Sequence, residues 1–254
     1  MIIVKYLVIS VVCIVSGEKC QFPCHCESGT ANCTHKNLAV LPHEFSNTLR
    51  VLDISYNKIK HINHQTFKTR DIMSLENLNV SNNLLTEIYN TTFMGQDSLE
   101  EVDFSGNDLK KISPDAFKYP PKLKRLSLKN NKFLEIPENG PFLISSSLEV
   151  LNLENCSLVV FTVESFVSLT SLKELYLSHN NLERLVIGAP SFLPTLRILD
   201  LSYNYLQVVS EEMISFPNLE QLEIMHNTVK MIGKKNDGAG TVKRDTEENS
   251  TCAN

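Results

Sequence analysis

Cysteines and histidines, seven of each, carry most of the chemistry this 254-residue sequence could perform. Four cysteines crowd one short stretch: Cys20, Cys24, Cys26 and Cys33, spaced C-x3-C-x-C-x6-C. Such a set makes either two disulfides, with three pairings open, or a tetrathiolate metal site. Cys156 stands apart inside Asn155-Cys156-Ser157, where it could be a nucleophile, half of a bridge or a packing residue. Cys252 lies near the end of the sequence. The histidines are scattered, and His179 and His226 fall at matching positions of two segments too far apart to share one metal ion. No Gly-rich phosphate loop, His-Glu-x-x-His helix or Gly-x-Ser-x-Gly elbow is present. We therefore expect no catalytic residues, no metal and no cofactor.

The formal net charge is −5, and Lys and Arg are not clustered, which argues against a surface that tracks nucleic-acid phosphates. Residues 1–17 read as a secretory signal peptide. Lys5 gives the positive start, Tyr6 to Val15 the apolar core, and Val15 and Gly17 suit a cut before Glu18. Cleavage removes Lys5 and Cys13. No later segment has the roughly 18 apolar residues of a membrane helix, and no hydrophobic C-terminal tail for a lipid anchor is present. The expectation is a secreted, extracellular chain in an oxidising compartment, which favours disulfides over zinc for the cysteine cluster.

The elements that position these residues come from a repeat. The pattern L-x-x-L-x-L-x-x-N-x-L begins at Leu49, Leu75, Leu99, Leu123, Leu148, Leu172, Leu196 and Leu219, at steps of 23 to 26 residues. This is the leucine-rich repeat signature. Each copy opens with a short strand whose alternate apolar residues point inward, and successive strands pair in parallel at about 4.8 Å per step. An Asn column follows: Asn57, Asn83, Asn107, Asn131, Asn180, Asn204 and Asn227, with Cys156 in the remaining copy. A returning segment carries Phe67, Phe93, Phe117 and Phe166 at one fixed position, with Phe142 and Phe192 close to it, as a second apolar spine. The expected fold is a leucine-rich repeat solenoid. It has a curved parallel sheet on the concave face and an irregular or short-helical convex side. Residues 49–232 form the eight repeats, and 233–254 read as a disordered polar tail.

The cysteine cluster, followed by Leu38, Leu41 and Pro42, resembles the cysteine-rich N-terminal cap of extracellular leucine-rich repeat proteins such as Slit, Toll-type ectodomains and small matrix proteoglycans. The resemblance places that cap at 18–48 and implies the pairs Cys20–Cys26 and Cys24–Cys33. It also implies that the ladder Asn amides are buried at the turn and bond backbone groups of neighbouring coils. A second cysteine-rich cap, usual in that group, is not seen after the eighth repeat.

Solenoids bind on the concave sheet. Its outward positions hold eleven acidic residues against six basic ones, a mildly acidic face. Glu100 and Glu101 align with Lys124 and Arg125 on the next strand as cross-strand pairs. Tyr176, His179, Tyr203 and His226 project beside Arg197, Asp200 and Glu223. This is the patch expected to bind a protein partner, because Tyr and Arg dominate interface energetics. Tyr56 stands alone at the other end. Sequons mark Asn79, Asn90, Asn155 and Asn249 for glycosylation, and a fifth, at Asn32, precedes a cap cysteine. Asn79 points from the middle of the concave sheet, where a glycan would push recognition toward the later repeats.

The functional expectation is a scaffold that binds an extracellular protein through its concave face, of the adhesion, guidance or immune-recognition type. The rivals are a matrix-associated bridging protein and a truncated soluble receptor ectodomain. Cys156 is expected to be a reduced packing residue, since a thiol donates weakly and is at home when buried. Cys252 is then the thiol left to link another chain, in a disulfide-linked or end-capped oligomer.

Overall fold

A computed structural model describes residues 12–15, 18–137, 140–186, 193–209, 216–229, 231–232 and 241–243. One sheet of 11 strands runs through it. Its strands are β1 (His25–Glu27), β2 (Thr30–Asn32), β3 (Val51–Asp53), β4 (Asn77–Asn79), β5 (Glu101–Asp103), β6 (Arg125–Ser127), β7 (Val150–Asn152), β8 (Glu174–Tyr176), β9 (Ile198–Asp200), β10 (Gln221–Glu223) and β11 (Thr241–Lys243). They lie side by side in chain order, parallel throughout except for the β1–β2 hairpin. A separate antiparallel pair, Val12–Val15 with Glu18–Gln21, precedes β1.

Each strand is three residues long because the repeat offers one buried residue between two that face out. Leu52, Leu78, Val102, Leu126, Leu151, Leu175, Leu199 and Leu222 fill that middle place and are at most 2% exposed. The register aligns them one above another. A one-residue slip would turn every one of them to solvent, so burial itself sets the register.

Behind the sheet the phenylalanines stack as expected among the described residues. Phe67 meets Phe93 at 6.0 Å, Phe93 meets Phe117 at 5.3 Å and Phe142 meets Phe166 at 5.9 Å between ring centroids. Phe192 lies outside the described residues. Phe104, a sheet-side residue, wedges against Phe93 and Phe117 and joins this spine to the strand core. Among the described residues the convex side holds one short α-helix, His64–Lys68, two 3-10 turns and several two-strand parallel pairs such as Val160–Thr162 with Arg184–Val186. A capping box fixes the helix start: Asn63 Oδ1 accepts from the Thr66 N–H at 3.0 Å, and Thr66 Oγ1 accepts from the Asn63 N–H at 3.0 Å.

Both ends of the array depart from plain repetition. At the start, Cys24 and Cys33 are bridged with Cα–Cα 4.4 Å, and Cys26 is also disulfide-bonded. The side chain of Cys20 lies outside the described residues. Arg70 ties this cap to the first repeat: Nε donates to Pro42 O at 2.6 Å, Nη2 to Leu41 O at 2.9 Å and Nη1 to Thr66 O at 2.8 Å. Burial lowers its pKa from the usual arginine value. At the other end β11 pairs with β10, Leu222 opposite Val242. The segment expected to lack regular structure after residue 232 thus contributes a strand. The physical reason is the edge of β10, whose unpaired N–H and C=O groups are a template for any extended segment.

Candidate concave binding face

The asparagine ladder sets the turn after every strand and so aims the side chains that follow it. Asn83 is typical. Its Nδ2 donates to Ile54 O of the preceding coil at 3.0 Å and to its own Val80 O at 3.1 Å. Its Oδ1 accepts from the Ile59 N–H of the preceding coil at 3.0 Å. Asn57, Asn107, Asn131, Asn180, Asn204 and Asn227 repeat the arrangement. These bonds satisfy backbone groups that the turn would otherwise leave buried and unpaired.

Immediately before the ladder residue the backbone turns left-handed in every coil. His35, Tyr56, Asn82, Gly106, Asn130, Asn155, His179, Tyr203 and His226 all have φ between 53° and 66°. Glycine and asparagine take this conformation at little cost, whereas tyrosine is uncommon there. At Gly106 space also matters, since a Cβ would lie 2.6 Å from Asn82 Oδ1. The column has an amide centre, where Asn155 Nδ2 donates to Asn130 Oδ1 at 2.7 Å, and aromatic ends.

The aromatic ends are the feature that the sequence only hinted at. His179 stacks on Tyr203 at 4.2 Å and 11°, and Tyr203 stacks on His226 at 4.2 Å and 25°. The phenol is sandwiched between two imidazoles, yet Tyr203 remains 45% exposed. The other end corrects the reading of Tyr56 as solitary: it stacks on His35 at 4.4 Å and 17°. Stacking was not readable earlier because His35 precedes the first full repeat and only the cap's fold places it in the column.

Beside the C-terminal stack, Tyr176, Asp200 and Glu223 fall in one register row. Tyr176 donates its hydroxyl to Glu174 Oε2 at 2.8 Å. Burial first, then this bond and the charges of Glu174, Asp200 and Glu223, push its pKa up to about 12. Asp200 Oδ1 accepts from the Ser202 N–H at 2.9 Å and hydroxyl at 2.6 Å, which holds the turn beneath Tyr203. Glu223 accepts a hydrogen bond from Gln221 Nε2. Arg197 is engaged bidentately by Glu220, Nε to Oε1 and Nη2 to Oε2, both at 2.8 Å. The same row holds Lys173–Glu149 at 2.9 Å and Arg50–Glu76 at 3.9 Å, and the next row holds Arg125–Glu101 at 2.9 Å. Its basic residues are therefore largely neutralised within the face, and Arg197 is a braced residue. The structure brings all seven expected contact residues onto the last three coils.

A leucine rich repeat family profile matches residues 73–133 and 146–189, and a second leucine rich repeat profile matches 45–60. Human podocan-like protein 1 is 30% identical over 204 residues, 78% of this chain and 38% of its own length. Drosophila melanogaster chaoptin is 29% identical over 204 residues, 80% of this chain and 15% of its own. The solved TLR13–ssRNA13 complex superposes with a TM-score of 0.54 at 28% identity, covering 72% of this chain and 30% of that one. This is a leucine-rich repeat protein. It spans less than half the length of each of these relatives.

Within the leucine-rich repeat frame, Cys156 explains a local irregularity. Its Sγ donates to Leu128 O of the preceding coil at 3.2 Å, the bond an asparagine would make. A thiol offers no amide oxygen, however, and the N–H two residues after Asn131 has no ladder acceptor. In that coil Phe133, which holds the last apolar position of its repeat, is 59% exposed, and Leu134 takes the buried place at 5%. Burial raises the Cys156 pKa to about 11, so the thiol is a poor nucleophile at neutral pH.

The sequons separate by environment. Asn90 is exposed on a convex-side turn. Asn79 lies on β4 and Asn32 on β2, both on the concave sheet. Asn155 is half-buried in the amide column. Asn249 and Cys252 lie outside the described residues. No helix among the described residues is long and apolar enough to cross a membrane.

Proposed function

We propose that this chain is a secreted, non-enzymatic scaffold that recognises an extracellular protein through the C-terminal half of its concave face. The observation that carries this reading is the His179–Tyr203–His226 stack. A tyrosine is held left-handed, where asparagine or glycine would be unstrained, and its ring is kept partly exposed. Strain retained at an exposed aromatic is a functional signature. Tyr176 and Asp200 stand beside it on a rigid, hydrogen-bonded sheet, so little side-chain order has to be gained on binding.

The test is photo-crosslinking in the secreted chain. A crosslinking amino acid replaces Ile198, a half-exposed outward position of β9, or Lys132 on an exposed turn. The expected result is one discrete extracellular protein captured from position 198, lost on Tyr203→Ala and absent from position 132. Equal capture from both positions, or capture indifferent to Tyr203→Ala, would refute the reading. Capture of fibrous matrix from both would favour a bridging protein.

A further inference from the structure

One concave row runs through Asn32, Asp53, Asn79, Asp103, Ser127, Asn152, Tyr176 and Asp200. Its first and third members are sequon asparagines: Asn32-Cys33-Thr34 and Asn79-Val80-Ser81. Both have the same local geometry. Asn32 Oδ1 accepts from the Thr34 N–H at 3.0 Å and from its hydroxyl at 2.8 Å. Asn79 Oδ1 accepts from the Ser81 N–H at 2.9 Å. This Asx turn spans only three residues, so a chain can form it before the solenoid exists. It engages the amide oxygen and leaves Nδ2, the atom that would carry a sugar, directed away. Nδ2 of neither residue makes a hydrogen bond among the described residues.

We propose that Asn32 and Asn79 both carry N-linked glycans that rise from this row and cover the N-terminal half of the concave face. The proposal rests on the reading that the chain enters the secretory route. The donor is an oligosaccharide on a polyprenyl diphosphate. Nδ2 attacks its anomeric carbon, the C–N bond forms, and the bond from that carbon to the diphosphate oxygen breaks. One amide hydrogen leaves as a proton, and the polyprenyl diphosphate departs with no oxidation or reduction.

Geometry makes the two sites one wall. They are two strands apart, about 10 Å at the strand spacing. Tyr176 lies four strands beyond Asn79, about 19 Å away, so the C-terminal stack stays open. The same row also accepts aspartate in place of asparagine. Asp53 and Asp103 occupy the same row, and Asp53 Oδ1 and Asp103 Oδ1 make the same turn bond to Ser55 and Ser105 at 2.9 and 2.8 Å. Asn155 is the contrast. Its Nδ2 donates to Asn130 Oδ1 between two coils, and it forms no Asx turn with Ser157, so it should stay bare.

The test expresses the full chain in a secreting animal cell and maps glycopeptides at Asn32, Asn79, Asn90 and Asn155 by mass spectrometry. Asn32→Asp and Asn79→Asp keep the turn bond and remove the sugar, so loss of the glycan is separated from loss of fold. Hydroxyl-radical footprinting then compares Tyr56 with Tyr203, two aromatics of similar exposure. Expected are glycans on Asn32 and Asn79, and slower oxidation of Tyr56 that is relieved in the double aspartate variant while Tyr203 is unchanged. Either asparagine bare while Asn90 is occupied overturns the proposal and leaves the secretory reading standing. A chain that is not secreted, or is secreted without any glycan, overturns it at the root. Glycans on both without any effect on Tyr56 overturn the covering role.

Discussion

Asn107 offers a test of the ladder's logic, because Cys156 shows what half of an asparagine does. Asn107 is 4% exposed. Its Nδ2 donates to Val80 O at 3.0 Å and Phe104 O at 2.9 Å, and its Oδ1 accepts from the Leu85 N–H at 3.0 Å. Asn107→Ala leaves these three backbone groups without their amide partner. An unpaired buried group costs about 1–3 kcal/mol, and a carbonyl keeps a second lone pair for other donors, so the total should be about 3–5 kcal/mol. Asn107→Cys keeps one donation across the coil, as Cys156 Sγ does to Leu128 O. It loses the acceptor for the Leu85 N–H, and should cost about 1–3 kcal/mol. Urea unfolding measures both, and hydrogen exchange locates the damage. The Leu85 amide should exchange faster in either variant, while the ladder two coils away is unchanged. Equal destabilisation by cysteine and alanine, or less than about 1 kcal/mol from either, would refute the division into a donor half and an acceptor half.

Other outcomes follow from the same geometry. Cys156 should resist alkylation by iodoacetamide at neutral pH in the folded chain and react on unfolding, read by peptide mapping, since burial raises its pKa to about 11. One phenol should titrate near pH 12 by ultraviolet absorbance, and Tyr176→Phe should remove it, while Glu174→Gln moves it back toward 10. The sign for stability follows. The folded pKa of Tyr176 is raised, so its contribution is complete below about pH 10 and is lost as pH rises from there toward 12. Leu126→Ala, at a strand centre 1% exposed, should cost about 2–5 kcal/mol in the same urea assay. Breaking the surface pair Arg125–Glu101 by Glu101→Ala should cost less than about 1 kcal/mol.

The amino-acid sequence by itself determined the coil. A period of 23 to 26 residues with leucines at fixed places leaves no alternative to stacked strands, because a single unit cannot bury its own apolar face. It also determined the ladder, and with it the role of Cys156 as a column residue. It marked Tyr176, Tyr203 and their neighbours, because strand alternation names the outward positions. Only the tertiary structure decided what those side chains do to each other. The imidazole–phenol–imidazole stack joins residues 179, 203 and 226, brought to 4.2 Å contacts by left-handed turns that depend on the ladder below them. The pairing of Arg197 with Glu220, the clamp of Arg70 on the cap and the strand at Thr241–Lys243 are of the same kind. Phe133 shows the limit most sharply. It holds the last apolar position of its repeat, yet it is exposed while Leu134 is buried, in the coil whose ladder neighbour is Cys156 and supplies no amide oxygen. Periodicity reports what each coil buries; contacts between coils set the final aim of each side chain.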